Sequence, residues 1–237
     1  MDIKEFLEKH IDLVDDNNFT ELYSRCVSED RGKLTMVLYE CSINPLEHMT
    51  EIPDAYAYRA DIQDISIPTG IDRIGDAAFF YCVSLTGVTI PDSVMRIGEG
   101  AFYNCTRLKS VTIGNSVTSV GDSAFYNCNS LISVAIGHSV TSIDTSAFAN
   151  CKSLTSVTIP SRVTSIGDYA FKDCSELAGV TIPDSVTRIG DYALAGCNKL
   201  VQIIYNGTLA QWREIQRTDT SDIQDVKIQC IDGVIHP

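Results

Sequence analysis

The sequence predicts a repeat solenoid, a stack of short coils with a parallel β-sheet, short helical turns and a helical amino-terminal cap. A cysteine returns every 23 residues, at Cys82, Cys105, Cys128, Cys151, Cys174 and Cys197. A fixed period of this length is typical of solenoids, in which stacking builds the core. Each period also contains the same strand-like apolar pattern, followed by a Pro or Gly that ends the strand.

The repeat unit has the form L-x-x-V-x-I-(P/G)-x-x-V-x-x-I-G-D-x-A-F-x-x-C-x-x. Val and Ile alternate with Ser and Thr near the end of the first part, which predicts a strand with one buried face. Residues 62–68 fit the same pattern, so we expect seven strands in one sheet. The Gly before the Asp is expected to give the corner a positive φ. The D-x-A-F-x-x-C segment predicts a short helical turn with Phe and Cys on its inner side.

The six periodic cysteines predict a buried column in the core, because a buried Cys behaves as a small apolar residue. No C-x-x-C pair and no Cys/His cluster with zinc spacing occurs in the chain, so a metal ladder is not favoured. One coil has Asp144 where the others have Gly. We expect local strain there and a more stable fold in the variant Asp144→Gly.

This unit resembles the BspA-type leucine-rich repeat, a 23-residue class found in bacterial, phage and some protist proteins. The resemblance covers about residues 62–205, and the residues from Tyr205 to Ile235 resemble a common end of such arrays. It implies a right-handed solenoid and a role in protein binding. Surface members of the family bind host or matrix partners, which makes a BspA-type adhesin the first alternative.

We divide the chain into residues 1–60, 61–205 and 206–237. Apolar residues at 3- to 4-residue spacing predict a helical cap in the first segment, which carries 13 acids against 6 Lys and Arg, a net charge of 6 − 13 = −7. The second segment is the array. The third predicts a cap in which Trp212 and Ile215 close the last coil and Asp232-Gly233 turns between two short strands.

The charge of the whole chain is −13 and its pI is about 4.6. Such a surface repels nucleic acid and anionic membranes, and it favours a basic protein partner if it favours any. The other interpretation is that the acidity only keeps a flat repeat protein from stacking on itself. No run of about 20 apolar residues suggests a membrane span. The first residues lack the apolar segment of a secretory signal, which predicts a cytoplasmic protein, or an extracellular one if a signal was removed.

Two columns on the turn side are candidate interaction surfaces. One is the acidic column of Asp76, Glu99, Asp122, Asp168 and Asp191. The other is aromatic and uses two repeat positions: Phe80, Tyr103 and Tyr126 stand beside the core Phe, and Tyr169 and Tyr192 stand two residues before the equivalent core position. The acids are either a docking strip or caps for the N–H groups of each turn. The aromatic residues are either anchors for a partner or lateral packing between coils. The strand face carries small uncharged residues, which are poor binding hot spots.

No catalytic constellation is present: the four His residues are scattered, and no P-loop, GxGxxG, HExxH or GxSxG pattern occurs. We therefore predict a non-catalytic protein-interaction scaffold without a cofactor. A second alternative to this function is an acidic inhibitor, possibly encoded by a phage, that occupies the groove of a basic nucleic-acid-binding protein.

Overall fold

A computed structural model of the chain describes residues 50–52, 54, 56–57, 62–217 and 223–236. Two kinds of strand alternate along it, one pair in each coil. The predicted helical cap of residues 1–60 lies mostly outside the described residues and stays a prediction. Within that range, residues 51–52 already form a strand of the solenoid.

A seven-stranded parallel sheet of two-residue strands runs the length of the array. Its strands are β1 (Glu51–Ile52), β2 (Arg73–Ile74), β4 (Arg96–Ile97), β6 (Ser119–Val120), β8 (Ser142–Ile143), β10 (Ser165–Ile166) and β12 (Arg188–Ile189). Each strand pairs in register with the strand of the next coil, for example Ile97 with Val120. The inner residue of each pair is buried because it points into the core.

The L-x-x-V-x-I strands form the opposite wall. They are β3 (Gly87–Ile90), β5 (Ser110–Ile113), β7 (Ser133–Ala135), β9 (Ser156–Thr158), β11 (Gly179–Ile182) and β13 (Gln202–Tyr205). Their outward surface is called the strand face below. The prediction of one seven-stranded sheet is wrong here, because residues 62–68 contribute only the bridge Asp64 to Gly87. In addition, the ladder is interrupted between β7 and β9, which leaves a three-stranded and a five-stranded sheet.

The core consists of columns of identical side chains. Phe79, Phe102, Phe125, Phe148 and Phe171 stack on one another with ring centroids 5.0, 5.1, 5.2 and 5.5 Å apart. The six periodic cysteines are buried and free, as predicted. Each thiol donates to a carbonyl oxygen of the preceding coil, such as Cys128 to Phe102 at 3.3 Å. The column therefore serves both as packing and as a ladder of weak hydrogen bonds.

The corners are built by residues with positive φ, but not by the predicted glycines. Two columns have a left-handed backbone. One follows the acid of each repeat, or Thr145 in the coil that lacks the acid: Ala77, Gly100, Ser123, Ser146, Tyr169 and Tyr192. The other precedes the cysteine: Tyr81, Asn104, Asn127, Asn150, Asp173 and Gly196. These two bends replace the predicted helical turn, and the described residues contain one α-helix, near the carboxyl end.

The Gly before each acid is required by close approach between coils. A Cβ on Gly98 would lie 2.6 Å from the carbonyl carbon of Gly75, and one on Gly167 would lie 2.6 Å from that of Asp144. Such distances are far inside van der Waals contact, so the coils could not stack without a shift. Asp144 itself does not have a positive φ, so the predicted left-handed strain at this residue is wrong.

Residues 206–237, the predicted carboxyl-terminal cap, contain α1 (Leu209–Glu214), β14 (Lys227–Cys230) and β15 (Gly233–Ile235). Thr208 caps α1, with a capping box to Gln211. Trp212 is buried, and its ring meets Tyr205 edge-on at 5.2 Å. β14 extends the sheet of β13 in parallel, and β15 then runs antiparallel to β14 after a two-residue turn.

Candidate functional site

The aromatic column on the turn side forms a stacked shelf. Phe80 and Tyr103 lie 5.0 Å apart with rings 16° from parallel, and Tyr103 and Tyr126 lie 4.8 Å apart at 9°. Tyr81 joins this shelf, 4.7 Å from Phe80 and 6.1 Å from Tyr103. We call these four residues the aromatic shelf. Phe80, Tyr103 and Tyr126 directly follow the core Phe of their turns and point outward, so successive coils place their rings one above the other, and Tyr81 follows Phe80.

The shelf is partly solvent-exposed, with Tyr81 the most exposed at 39%. Burial and the neighbouring rings of Tyr126 and Tyr81 raise the pKa of Tyr103. The hydroxyl therefore stays protonated at physiological pH and remains a hydrogen-bond donor. The rings of neighbouring coils therefore pack on one another, and the shelf as a whole stays partly exposed to solvent.

Tyr169 and Tyr192 form a separate pair farther along the array. Their rings lie 5.6 Å apart and 9° from parallel. The ammonium group of Lys172 lies 5.4 Å from the centre of the Tyr169 ring, within the range of a cation–π contact. The structure therefore divides the five predicted aromatic residues into two surfaces.

The acidic column is a ladder between coils. Asp76 Oδ1 accepts the backbone N–H of Glu99 at 2.9 Å, Asp122 accepts that of Thr145 at 2.9 Å, and Asp168 accepts that of Asp191 at 3.0 Å. The prediction that each acid caps its own turn is wrong, since the acceptor reaches the equivalent residue of the next coil. These three carboxylates therefore have a structural task, and Asp168 also pairs with Arg188 at 3.3 Å.

The strand face holds a shallow groove of about 340 Å³ over β9, β11 and β13. Its walls are small or uncharged, with Thr181 on the middle strand β11, Thr158 on β9 at one side, and Val201 and Ile204 at the other side. The absence of charged walls agrees with the pattern read from the sequence. The groove offers shape without the Tyr, Trp or Arg side chains that concentrate binding energy.

The sequence pattern did not single out three features of this surface. Tyr81 extends the shelf, Lys172 covers a ring, and Asn104 is buried at the left-handed corner, where it accepts a hydrogen bond from Asn127. The signal for the last was the recurring Asn-Cys dipeptide, since Asn is the residue other than Gly that best tolerates positive φ. Asn104-Cys105-Thr106 fits the N-x-[ST] glycosylation pattern, but Asn104 is buried and is therefore not an accessible acceptor.

Among residues 62–217 and 223–236 and the short pieces before them, no group of three or more His, Cys, Asp or Glu has metal-binding geometry. Burial raises the pKa of the Cys151 thiol to about 12, and those of Cys105 and Cys128 are also raised well above their usual value. These thiols therefore stay protonated and are poor nucleophiles. In the same part of the chain, no helix is long and apolar enough to cross a bilayer.

The sequence profile of the BspA type leucine rich repeat region matches residues 50–178 and 164–231, with six copies. No curated protein matches the chain significantly.

Several solved structures are similar. A leucine rich cell surface protein from Faecalibacterium prausnitzii A2-165 is 29% identical over 76% of this chain and 62% of its own, with a TM-score of 0.57. The T. pallidum leucine rich repeat protein is 33% identical over 64% of this chain and 72% of its own, also at 0.57. A leucine-rich repeat protein from Bacteroides ovatus ATCC 8483 is 31% identical over 76% of this chain and 45% of its own, at 0.65. This chain thus spans less than two thirds of the Faecalibacterium and Bacteroides proteins.

Proposed function

Because the chain belongs to the BspA-type leucine-rich-repeat family, we propose that it is a non-catalytic scaffold that binds a protein partner through the turn side of its solenoid. The observation that carries this proposal is the aromatic shelf. Tyr and Trp are enriched among the residues that dominate binding energy. Stacking also fixes these rings before a partner arrives, so little side-chain entropy is lost on binding.

Later coils of the same chain have no aromatic residue at the position of Phe80, Tyr103 and Tyr126 and can be compared with the coils of the shelf. The residues at its column in three later coils are Ala149, Lys172 and Ala195. The rings of Phe80, Tyr103 and Tyr126 are therefore not needed to close a coil, since the core Phe of the same turn is buried with or without them, as at Phe148 and Phe171. Their presence in three consecutive coils supports a surface role.

The test is affinity capture with the full chain immobilised in four forms, the wild type and three variants, and the captured proteins are identified by mass spectrometry. The variants Tyr103→Ala and Tyr126→Ala copy Ala149 and Ala195, and Thr158→Arg places a charge in the groove of the strand face. We expect a partner that is retained by the wild type and Thr158→Arg but lost from both Tyr variants. Melting temperatures show that the variants are folded. A partner lost only from Thr158→Arg would move the interface to the strand face and overturn the proposal.

A second candidate is an adhesin at a cell surface. One similar protein is described as a leucine rich cell surface protein, so the predicted cytoplasmic location has no support from the comparisons. The discriminating measurement is protease treatment of intact source cells, since an exposed adhesin is cleaved while the cells remain closed. Neither the fold nor the relatives offer an observation that favours the acidic inhibitor.

A further inference from the structure

The pair Tyr169 and Tyr192 is a conformational exception. Both residues have a left-handed backbone, with φ of 59° and 56°. The equivalent residues in the other coils are small: Ala77, Gly100, Ser123 and Ser146. A bulky residue in this region is strained, and such strain in a folded protein is concentrated at functional positions. The corner itself does not need a ring, so the Tyr side chains require another explanation.

The rings of this pair are available at the surface. Tyr169 is 37% exposed and Tyr192 is 44% exposed, while the core residues of the same turns, Phe171 and Leu194, are buried. The two rings therefore do not complete the core. They present one stacked aromatic surface about two coils wide.

The charges around the pair favour a cation. Lys172 already lies over the Tyr169 ring, which shows that this surface accepts a positive group. Asp168 is engaged by the N–H of Asp191 and by Arg188. Asp191 is the last acid of the ladder within the described residues: the strand before it ends the regular array with a bridge from Arg188 to Gln216, and no described residue donates a hydrogen bond or forms an ion pair with the Asp191 carboxylate. Among the described residues, the negative charge next to Tyr192 therefore has no counterion.

We propose that Tyr192, backed by Tyr169 and flanked by Asp191, binds an arginine side chain of a basic protein partner. The planar guanidinium group would lie on the Tyr192 ring and pair with the Asp191 carboxylate, a combination that suits arginine better than lysine. The chain charge of −13 steers such a partner toward the surface. This inference rests on the proposed function, since it specifies the chemistry of the partner.

The probe is a fluorescent (Gly-Arg)₄ peptide, with (Gly-Lys)₄ as the equally charged reference, titrated against the full chain and read by anisotropy. The variants are Tyr192→Ser, which copies Ser123 and Ser146, and Asp191→Asn. Asp76→Asn removes the same charge at the other end of the ladder, and Ser146→Ala changes the same left-handed corner position in a coil without a ring. We expect Tyr192→Ser and Asp191→Asn each to weaken (Gly-Arg)₄ binding about five-fold. The two control variants should change it less than about two-fold, and the wild type should prefer the Arg peptide to the Lys peptide.

Stability separates a binding role from a packing role. Because Ser relieves the crowding of a ring at positive φ, the melting temperature of Tyr192→Ser should be unchanged or higher. Equal losses for Asp191→Asn and Asp76→Asn would show that only the total charge matters, and would overturn the proposal. So would a lower melting temperature of Tyr192→Ser with unchanged peptide affinity. If peptide binding does not depend on Tyr192 while a captured partner still depends on Tyr103, this inference fails and the proposed function stays intact. If peptide binding depends on Tyr192, the inference is supported even when no captured partner depends on the aromatic shelf.

Discussion

The column of stacked Phe rings predicts that the same Phe→Leu substitution destabilises the fold by different amounts at different positions along the column. Phe125 has a ring on each side, at 5.1 Å and 5.2 Å, whereas Phe171 has one ring neighbour at 5.5 Å and Leu194 on its other side. All of these side chains are buried. Phe125→Leu therefore breaks two ring pairs and Phe171→Leu breaks one, while the lost apolar volume is the same. Leu194 shows that Leu is accommodated at this column.

A stacked pair contributes about 0.5–1.5 kcal/mol beyond the area it buries. Phe125→Leu should thus lower the free energy of unfolding by about 1 kcal/mol more than Phe171→Leu does. The measurement is urea unfolding followed by circular dichroism and by the fluorescence of Trp212, the single Trp of the chain. Coincident curves and an unchanged m-value show that the coils unfold together, which a repeat array must demonstrate before free energies are compared.

The reasoning is refuted if the two variants lose the same stability. That result would mean that the rings act only as apolar volume, and that their parallel arrangement follows from the 23-residue period without adding energy. A larger loss at Phe171 would contradict it as well.

Three further predictions concern the corners and the thiols. Gly98→Ala should lower the free energy of unfolding by about 3 kcal/mol or more, because its Cβ would lie 2.6 Å from the carbonyl carbon of Gly75. Gly70→Ala, whose Cβ would have nothing within 4 Å, should change it by about 0.5 kcal/mol at most. Equal effects of the two variants in urea unfolding would contradict the close-approach argument. Asp144→Gly should raise the free energy of unfolding by about 0.5 kcal/mol or less at pH 7, since burial raises the pKa of Asp144 and its ionisation weakens the fold, while solvent screens this half-exposed carboxylate. That gain should shrink as the pH falls through the raised pKa and vanish below 3.8, and a gain that grows in acid would be inconsistent with this cause. Ellman's reagent should label at most two of the nine cysteines before unfolding, because the seven described ones are buried; three or more labelled thiols in the native protein would disprove it.

The period and the core were predictable because identical side chains pack on their own copies. Once Phe102 and Phe125 recur 23 residues apart, stacking them is the only way to bury both. The strands were predictable for the same reason, from Val and Ile alternating with Ser and Thr. The interruption of the ladder between β7 and β9 could not be predicted, because the apolar pattern of the two coils is the same.

The corners could not be predicted because their sequence signals are ambiguous. The three-residue spacing of Phe102 and Cys105 suits a helical turn as well as the two left-handed bends that the structure shows. A recurring Gly such as Gly98 means either positive φ or close approach, and only the packing of coils decides between them. The partner of Asp76 lies in the next coil, which a pattern within one repeat does not reveal. The stacking of aromatic rings between neighbouring coils is likewise a contact between repeats, and the pattern within one repeat does not reveal it.

The interruption between β7 and β9 has a mechanical consequence. The seven-stranded sheet is continuous across this point, with β8 paired to β10, while on the opposite wall the two coils share no ladder. On that wall the coils are still joined by the N–H of Thr155, which donates to the carbonyl oxygen of Ile132 at 3.3 Å. This wall therefore has fewer hydrogen bonds at this point than the seven-stranded sheet opposite, and bending of the array under tension, or against a curved partner, is expected to concentrate here.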